Sequence, residues 1–369
     1  MRSRGTITCD AKMTIDWITK LLPPSAQFRR ALRARQVGPF CPMPVATPDG
    51  LNGEPLRIHF WTPHSAWPSA LRQVGHVVPH LRVLVGARGW PWQISAGPEL
   101  PLAVDWLLCL KAVPPPGRCP VERTVLLVCD DADRVWGKLA RFGHIVSVAS
   151  PVLAALIGAV HPRVWFIEET ESAHTIAQGQ QALAATPPSR RDACLMWHGL
   201  RGSLNGLLLL REVLEEFGRE SGAELAVVTN RPAGAEKWGA LNVRWVAWSP
   251  ESLAATAAAA RLGLVPARPT LADSYLKSAG RLRCLFALGC PAIGDSRSPD
   301  VVEFSRACGL PAAQTPAEWL AVLRELWHAP TRLDEVARRG HGLVQEQFTA
   351  ARTAAQWLWF LAGGAQSGR

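Results

Sequence analysis

Lys277 and Arg281 stand four residues apart at the start of a segment, Lys277–Leu288, that reads as a helix. That spacing puts both cations on one helical face. At a helix start the same face offers unpaired N–H groups, which suits a diphosphate whose charge must be met as it leaves. A second candidate is His198-Gly-Leu-Arg-Gly-Ser203, which follows an apolar strand directly. Its glycines let backbone approach a ligand, with Gly199 as the close point, and Arg201 would be a third cation for the phosphates. A solvated basic stripe and a plain structural turn would give the same two patterns.

Acid–base candidates follow strands nearer the N-terminus. Asp130 and Asp131 end the strand Thr124–Cys129, and His64 follows Arg57–Trp61, so each is a candidate catalytic or acceptor-orienting group. Either aspartate also fits the N-cap of a helix beginning near Ala132, and His64 also reads as a loop residue. Glu168 and Glu169 read as catalytic candidates or as linker charges. His76-Val-Val-Pro-His80 has histidines at i and i+4, but Pro79 argues against a regular helix, so no metal pair is expected. The chain has no Gly-x-Gly-x-x-Gly after a strand, no Gly-x-x-x-x-Gly-Lys-Ser/Thr and no Gly-x-Ser-x-Gly. Dinucleotide enzymes, P-loop NTPases and serine hydrolases therefore drop away.

The elements that must hold these groups alternate. Apolar runs at Arg57–Trp61, Arg82–Gly86, Thr124–Cys129, His144–Val148 and Arg163–Ile167 read as buried parallel strands with helices between the later ones. The pattern lapses after Glu168 into a polar stretch ending at Pro187-Pro188-Ser189-Arg190-Arg191, which reads as a linker. It restarts with strands Cys194–His198, Glu224–Thr229, Asn242–Val246, Leu262–Val265 and Pro291–Gly294, and with helices at Ser203–Glu220, Glu251–Ala260, Lys277–Leu288, Pro316–Trp327, Arg332–Gln347 and Ala350–Leu361. Two doubly wound, Rossmann-like parallel-sheet α/β domains facing a cleft are expected, with ligands at the carboxyl ends of the strands.

The run from Lys277 to Gly294 resembles the donor-site signature of GT-B-fold glycosyltransferases, especially the retaining family 4 (group 1). Lys277, Arg281, Ala287, Gly289 and Pro291 match it. Glu224–Asn230 and Val243–Ser249 are similar to the segments that line the nucleotide there. The resemblance implies that Asn230, Trp245 and Val246 border the nucleoside. Cys284 falls where the family has the glutamate that holds the ribose, and Gly280 where it has asparagine. Leu276 occupies the place of the upstream partner glutamate, and Thr62-Pro-His-Ser-Ala-Trp-Pro68 replaces the family's glycine-rich loop.

The resemblance implies a metal-independent hexosyltransferase with no cofactor. It would move sugar from a nucleoside diphosphate sugar to a hydroxyl on a glycan, lipid-linked or small-molecule acceptor, in making surface glycan or a glycosylated metabolite. A non-catalytic nucleotide- or glycan-binding scaffold is the alternative that the Cys284 substitution favours. The implied organisation is a basic arm over 1–35, an acceptor-side domain over 36–170, a linker over 171–192, a donor domain over 193–348 and a helix over 349–369 that crosses back.

Charge and composition bound these readings. The 369 residues carry 40 Lys and Arg against 30 Asp and Glu, a net +10. Residues 1–35 alone hold eight bases and two acids. That arm, with Trp17, Ile18, Leu21, Leu22 and Phe28 among its cations, suits an anionic membrane surface as well as a basic leader. No nucleic-acid-binding module is recognisable. With no signal peptide and no apolar run near the ~20 residues of a bilayer span, a cytoplasmic protein is expected, in place at the membrane's inner face if the arm binds it. Nine scattered cysteines without a Cys-x-x-Cys pair point to reduced thiols rather than a disulfide framework or zinc.

Overall fold

The computed structural model describes residues 55–64, 68–129, 136–148, 150–232, 236–267 and 276–366. The basic arm and the Asp130–Asp131 pair lie outside them.

Two six-stranded sheets organise the chain. The first comprises β1 (Leu56–Trp61), β2 (Trp92–Gly97), β3 (Trp106–Leu110), β4 (Thr124–Val128), β5 (His144–Ser147) and β6 (Val164–Phe166), in the order β2-β1-β3-β4-β5-β6. Every pairing in it is parallel. Strands β3 and β4 are buried along their whole length; β4 is among the expected strands, and β3 is not. The second sheet comprises β7 (Asp192–His198), β8 (Glu224–Thr229), β9 (Glu236–Trp238), β10 (Leu241–Ala247), β11 (Ala260–Val265) and β12 (Ala292–Gly294), in the order β12-β11-β7-β8-β10-β9. Only the β9–β10 edge pair in it is antiparallel. Each sheet therefore reverses its winding once, between β1 and β3 in the first and between β7 and β11 in the second.

Several expected elements differ. Arg82–Gly86 is not a strand but part of helix α1 (Val77–Ala87). Its buried residues Val77, Val78, Leu81 and Val85 repeat with helical period, which outweighs the β-branched composition. Pro79 sits in the first turn, where its missing N–H is not needed, so it does not break the helix. Before α1, Pro68–Ala70 runs into a π turn at Leu71–Gly75, closed by the His76 N–H donating to the Leu71 carbonyl at 2.9 Å.

The stretch read as a linker contains helix α3 (Ala173–Ala185), after α2 (Pro151–Gly158). Its signal was the Ser172 hydroxyl, which caps it by accepting from the Thr175 N–H at 2.9 Å. The single helix expected over Ser203–Glu220 is two, α4 (Leu204–Leu208) and α5 (Arg211–Ser221), broken at Leu209–Leu210. Helix α6 (Pro250–Ala259) follows. The donor-side helix α7 spans Gly280–Ala287 rather than beginning at Lys277. The chain closes with α8 (Pro299–Cys308), α9 (Pro316–His328), α10 (Pro330–Gln347) and α11 (Ala350–Gln366).

Helix α11 leaves the second sheet and packs over the first. Its Trp357 is fully buried and meets Phe60 edge-on at 5.5 Å, while Phe360 meets Trp106 at 5.9 Å and Trp165 at 5.7 Å. The chain thus crosses between the halves twice, and the crossings pair: the Glu171 N–H donates to the Phe348 carbonyl at 2.9 Å and the Glu168 N–H to Gln356 Oε1 at 3.2 Å.

Candidate functional site

The winding reversal of the second sheet brings together the carboxyl ends of β7 and β11. His198 closes β7 and Gly199 begins the turn, with its N–H bonded to the Val228 carbonyl at 3.1 Å. A Cβ at Gly199 would lie 2.8 Å from two ring carbons of Trp197 and 3.3 Å from Arg281 Nη1, so only glycine allows this approach. From across the reversal, Arg281 Nη2 donates to the Pro266 carbonyl, just past β11, at 3.3 Å. The His198 ring closes the group, with Nε2 3.3 Å from the Arg281 carbonyl, so Nε2 carries the proton and donates. Burial, with Arg281 and Arg72 nearby, holds the imidazole down at about 3, and it stays neutral at physiological pH. A guanidinium, the glycine turn after β7 and a neutral histidine thus line the point where doubly wound sheets take ligands.

Arg201, Asn230 and Trp245 form a neighbouring group over the ends of β8 and β10. Asn230 Oδ1 accepts from the Arg201 N–H at 2.9 Å, and Arg201 Nη1 donates to the Arg231 carbonyl at 3.1 Å. The guanidinium lies 5.3 Å from the centre of the half-buried Trp245 ring. These contacts turn Arg201 toward the indole rather than toward Arg281. Val246, half-buried beside Trp245, packs against the core. The group offers an aromatic face, an amide and a cation.

Lys277 does not share a helical face with Arg281. The segment before α7 is drawn away by the start of α8: the Ser298 hydroxyl donates to the Lys277 carbonyl at 2.9 Å, and Asp300 Oδ2 accepts from the Ala279 N–H at 2.5 Å. The Gly280 N–H donates to Ser278 Oγ at 3.2 Å. Those two leading N–H groups are therefore occupied by protein rather than offered to an anion.

Cys284 lies one turn into α7, buried and 8% exposed, beside Arg72 and Glu171, and burial pushes its thiol up to about 12. It is not brought to the Arg281 group. In that buried region the carboxylates come from the first interdomain crossing. Glu169 Oε2 accepts from Ser278 Oγ at 2.8 Å and pairs with Arg283 Nη2 at 3.5 Å, and Arg72 reaches Glu169 at 3.4 Å and Glu171 directly. Burial pushes the Glu171 carboxyl up to about 7 against the pull of Arg72. The sequence reading missed Arg72 and Glu171 altogether, because nothing local pairs residues about a hundred positions apart.

On the first sheet, His64 lies exposed in the turn after β1, at that sheet's own winding reversal. Lys111, directly after β3 on the other side of the reversal, has φ +55, the one non-glycine positive φ among the described residues. Such a residue costs energy to hold and clusters at ligand sites. Among the described residues no group of three His, Cys, Asp or Glu is placed to hold a metal, and no helix is long and apolar enough to cross a membrane.

No protein-family model and no curated protein sequence matches the chain. Solved structures do. A glycosyltransferase from Rickettsia africae aligns with a TM-score of 0.59 at 8% identity, over 84% of this chain and 99% of its own. Sucrose-phosphate synthase from Thermosynechococcus elongatus aligns at 0.57 and 12% identity, over 85% and 100%. Anabaena HepE, solved in complex with UDP-glucose, aligns at 0.54 and 9% identity, over 85% and 100%. At these identities the likeness fixes the fold: two parallel-sheet α/β domains in the GT-B arrangement.

Proposed function

We propose that this protein is a glycosyltransferase that moves a hexosyl group from a nucleoside diphosphate sugar to an acceptor hydroxyl, with neither metal nor cofactor. The observation that carries the reading is the Arg281 guanidinium set against the His198–Gly199 turn at the β7–β11 reversal. The acceptor oxygen bonds to the anomeric carbon as the bond from that carbon to the diphosphate oxygen breaks, and the acceptor proton passes to a base. Arg281, joined by Lys277 from the preceding loop, meets the charge that grows on the departing diphosphate. The Gly199 turn leaves room for the phosphates. The Asn230–Trp245 group, with Arg201 and Val246, receives the nucleoside. His64, Asp130 and Asp131 are the candidates for the base on the opposite domain.

A GT-B fold supports this class of donor, and the similar HepE was solved with UDP-glucose. The acceptor is a glycan, a lipid-linked sugar or a small molecule. The protein works in the cytoplasm, and the cationic residues 1–35 hold it to the inner membrane face. A non-catalytic binding role is the second reading. It is favoured by Cys284, which puts a buried thiol where the resembled family has a ribose-holding carboxylate.

The test is calorimetric titration with UDP, GDP, CDP and ADP, alongside an assay for nucleotide released from a panel of sugar donors. One nucleotide should bind and its sugar donor should turn over. Arg281→Ala removes a charge-assisted hydrogen bond worth about 1.5–3 kcal/mol, so affinity should fall about tenfold to a hundredfold. Turnover should fall at least as far, since the leaving group's charge peaks in the transition state. Binding without turnover of any donor would leave the non-catalytic reading. An Arg281→Ala protein that binds as the parent does would remove the donor site.

A further inference from the structure

We infer that Arg72 is a positioning residue which locks the angle between the two domains and, through that lock, sets the first turn of the helix that carries Arg281. The inference rests on the donor-site reading for its catalytic consequence, but not for the lock itself.

Arg72 belongs to the first domain and stands on the π turn Leu71–Gly75. The buried Gln73 anchors that turn by donating from Nε2 to the Val148 carbonyl, just past β5, at 3.3 Å. Turns of this kind are uncommon and recur at functional sites. From this base the guanidinium reaches out of its own domain and, beside the Cys284 thiol, meets three oxygen acceptors. It pairs with Glu169 at 3.4 Å and with Glu171, both on the first crossing, and donates to the Gly280 carbonyl, on the opening residue of α7, at 3.3 Å.

Glu169 carries the linkage onward. Its other oxygen accepts from Ser278 Oγ, which in turn accepts from the Gly280 N–H. It also faces Arg283, whose guanidinium pairs with Asp300 at 3.4 Å and stacks 4.6 Å from the centre of Phe348 on the second crossing. One buried network therefore joins a first-domain turn, both crossings and the start of α7. Gly280 has no room for a side chain, since a Cβ there would lie 2.2 Å from Glu169 Oε2. Rotation of the domains about the crossings must break Arg72 from either the carboxylates or the Gly280 carbonyl. Arg281 is the next residue along, so its placement follows the closure angle, and the site is fully formed only with the lock engaged.

The test compares the full chain with Arg72→Ala, Arg72→Lys and the charge swap Arg72→Glu/Glu171→Arg. Small-angle scattering and hydrogen exchange over Gly280–Ala287 need no donor. For Arg72→Ala we expect a larger radius of gyration and at least tenfold faster exchange in the first turn of α7, with exchange in β7 and β8 unchanged. Lysine, a point charge without the fork, should restore little, and the swap should restore part of both readouts. With a donor found, kcat of Arg72→Ala should fall at least tenfold while KM for the donor moves less than threefold. Scattering and exchange identical to the parent's would overturn the lock, as would a swap no closer to the parent than Arg72→Ala. Altered scattering with no nucleotide bound by the parent would uphold the lock and reject the donor-site reading instead.

Discussion

Substituting Gly179 by alanine sets two opposed terms against each other in one residue. Gly179 lies inside α3, and in an exposed helix interior the change from glycine to alanine gains about 0.5–1 kcal/mol. Here, however, the new Cβ would lie 1.9 Å from the Ala287 carbonyl oxygen and 2.7 Å from both the Leu288 carbonyl carbon and the Gly289 nitrogen. All three are backbone atoms of the turn that ends α7. That turn cannot give easily, because Gly289 is in the left-handed region at φ +72 and its own Cβ position is 2.7 Å from the Gly179 carbonyl oxygen. Relief requires shifting α3 away from α7. Overpacking of this kind costs about 1–3 kcal/mol, and the absence of a flexible neighbour puts it at the upper end. The net expectation is a loss of about 2 kcal/mol. At roughly 2–4 °C per kcal/mol for a domain of this size, the melting temperature should fall by about 4–8 °C.

Gly86→Ala is the matched control. Gly86 is exposed near the end of α1, and nothing lies within 4 Å of its Cβ position. It should gain the propensity term alone and raise the melting temperature by about 1–4 °C. Scanning calorimetry on the two variants and the parent decides the matter. A Gly179→Ala protein melting at or above the parent would refute the close packing of α3 on the donor-side helix.

Two further outcomes follow from the same geometry. Burial holds His144 down at about 4 against 6.5 in the unfolded chain, so the folded state binds fewer protons between those values. The stability this contributes is whole above pH 6.5 and is lost as pH falls through the window, by about 1 kcal/mol per pH unit. Urea denaturation should therefore show parent stability falling relative to His144→Gln from pH 6.5 to pH 4; parallel curves would contradict it. Trp357→Ala empties a fully buried site against Phe60 and Phe360 and should cost about 3–5 kcal/mol. Limited proteolysis should then release α11; an uncut helix with an unchanged melting temperature would count against its role as the strap across the first domain.

The parallel strands of the second half were legible because a strand buried on both faces must be apolar throughout, as in Leu195–Trp197 and Leu225–Val228. The same rule misled at Arg82–Gly86, where a helix buried on one side also concentrates valine. It was silent at β2, whose edge position leaves Gln93, Ser95 and Ala96 exposed and breaks the apolar run. In the candidate site, Arg281 and Gly199 were singled out by residue type and spacing. The expectation that Lys277 and Arg281 share one helical face failed because Ser298 and Asp300, contributed by a later helix, take hold of the segment before α7.

By itself the sequence determined the class of architecture, since period and burial of each strand are local properties of the chain, and it marked cations and glycines of the second half as candidates. Only the tertiary structure decided which of them meet. Strand order set His198 and Gly199 beside Pro266, and a return by the last helix laid Phe348 and Gln356 along Glu168–Glu171. The linkage of Arg72 to Glu169, Glu171 and Gly280 spans 97 to 208 residues of chain. Contacts at such separations come from the packing of whole domains, whose closure no local pattern encodes.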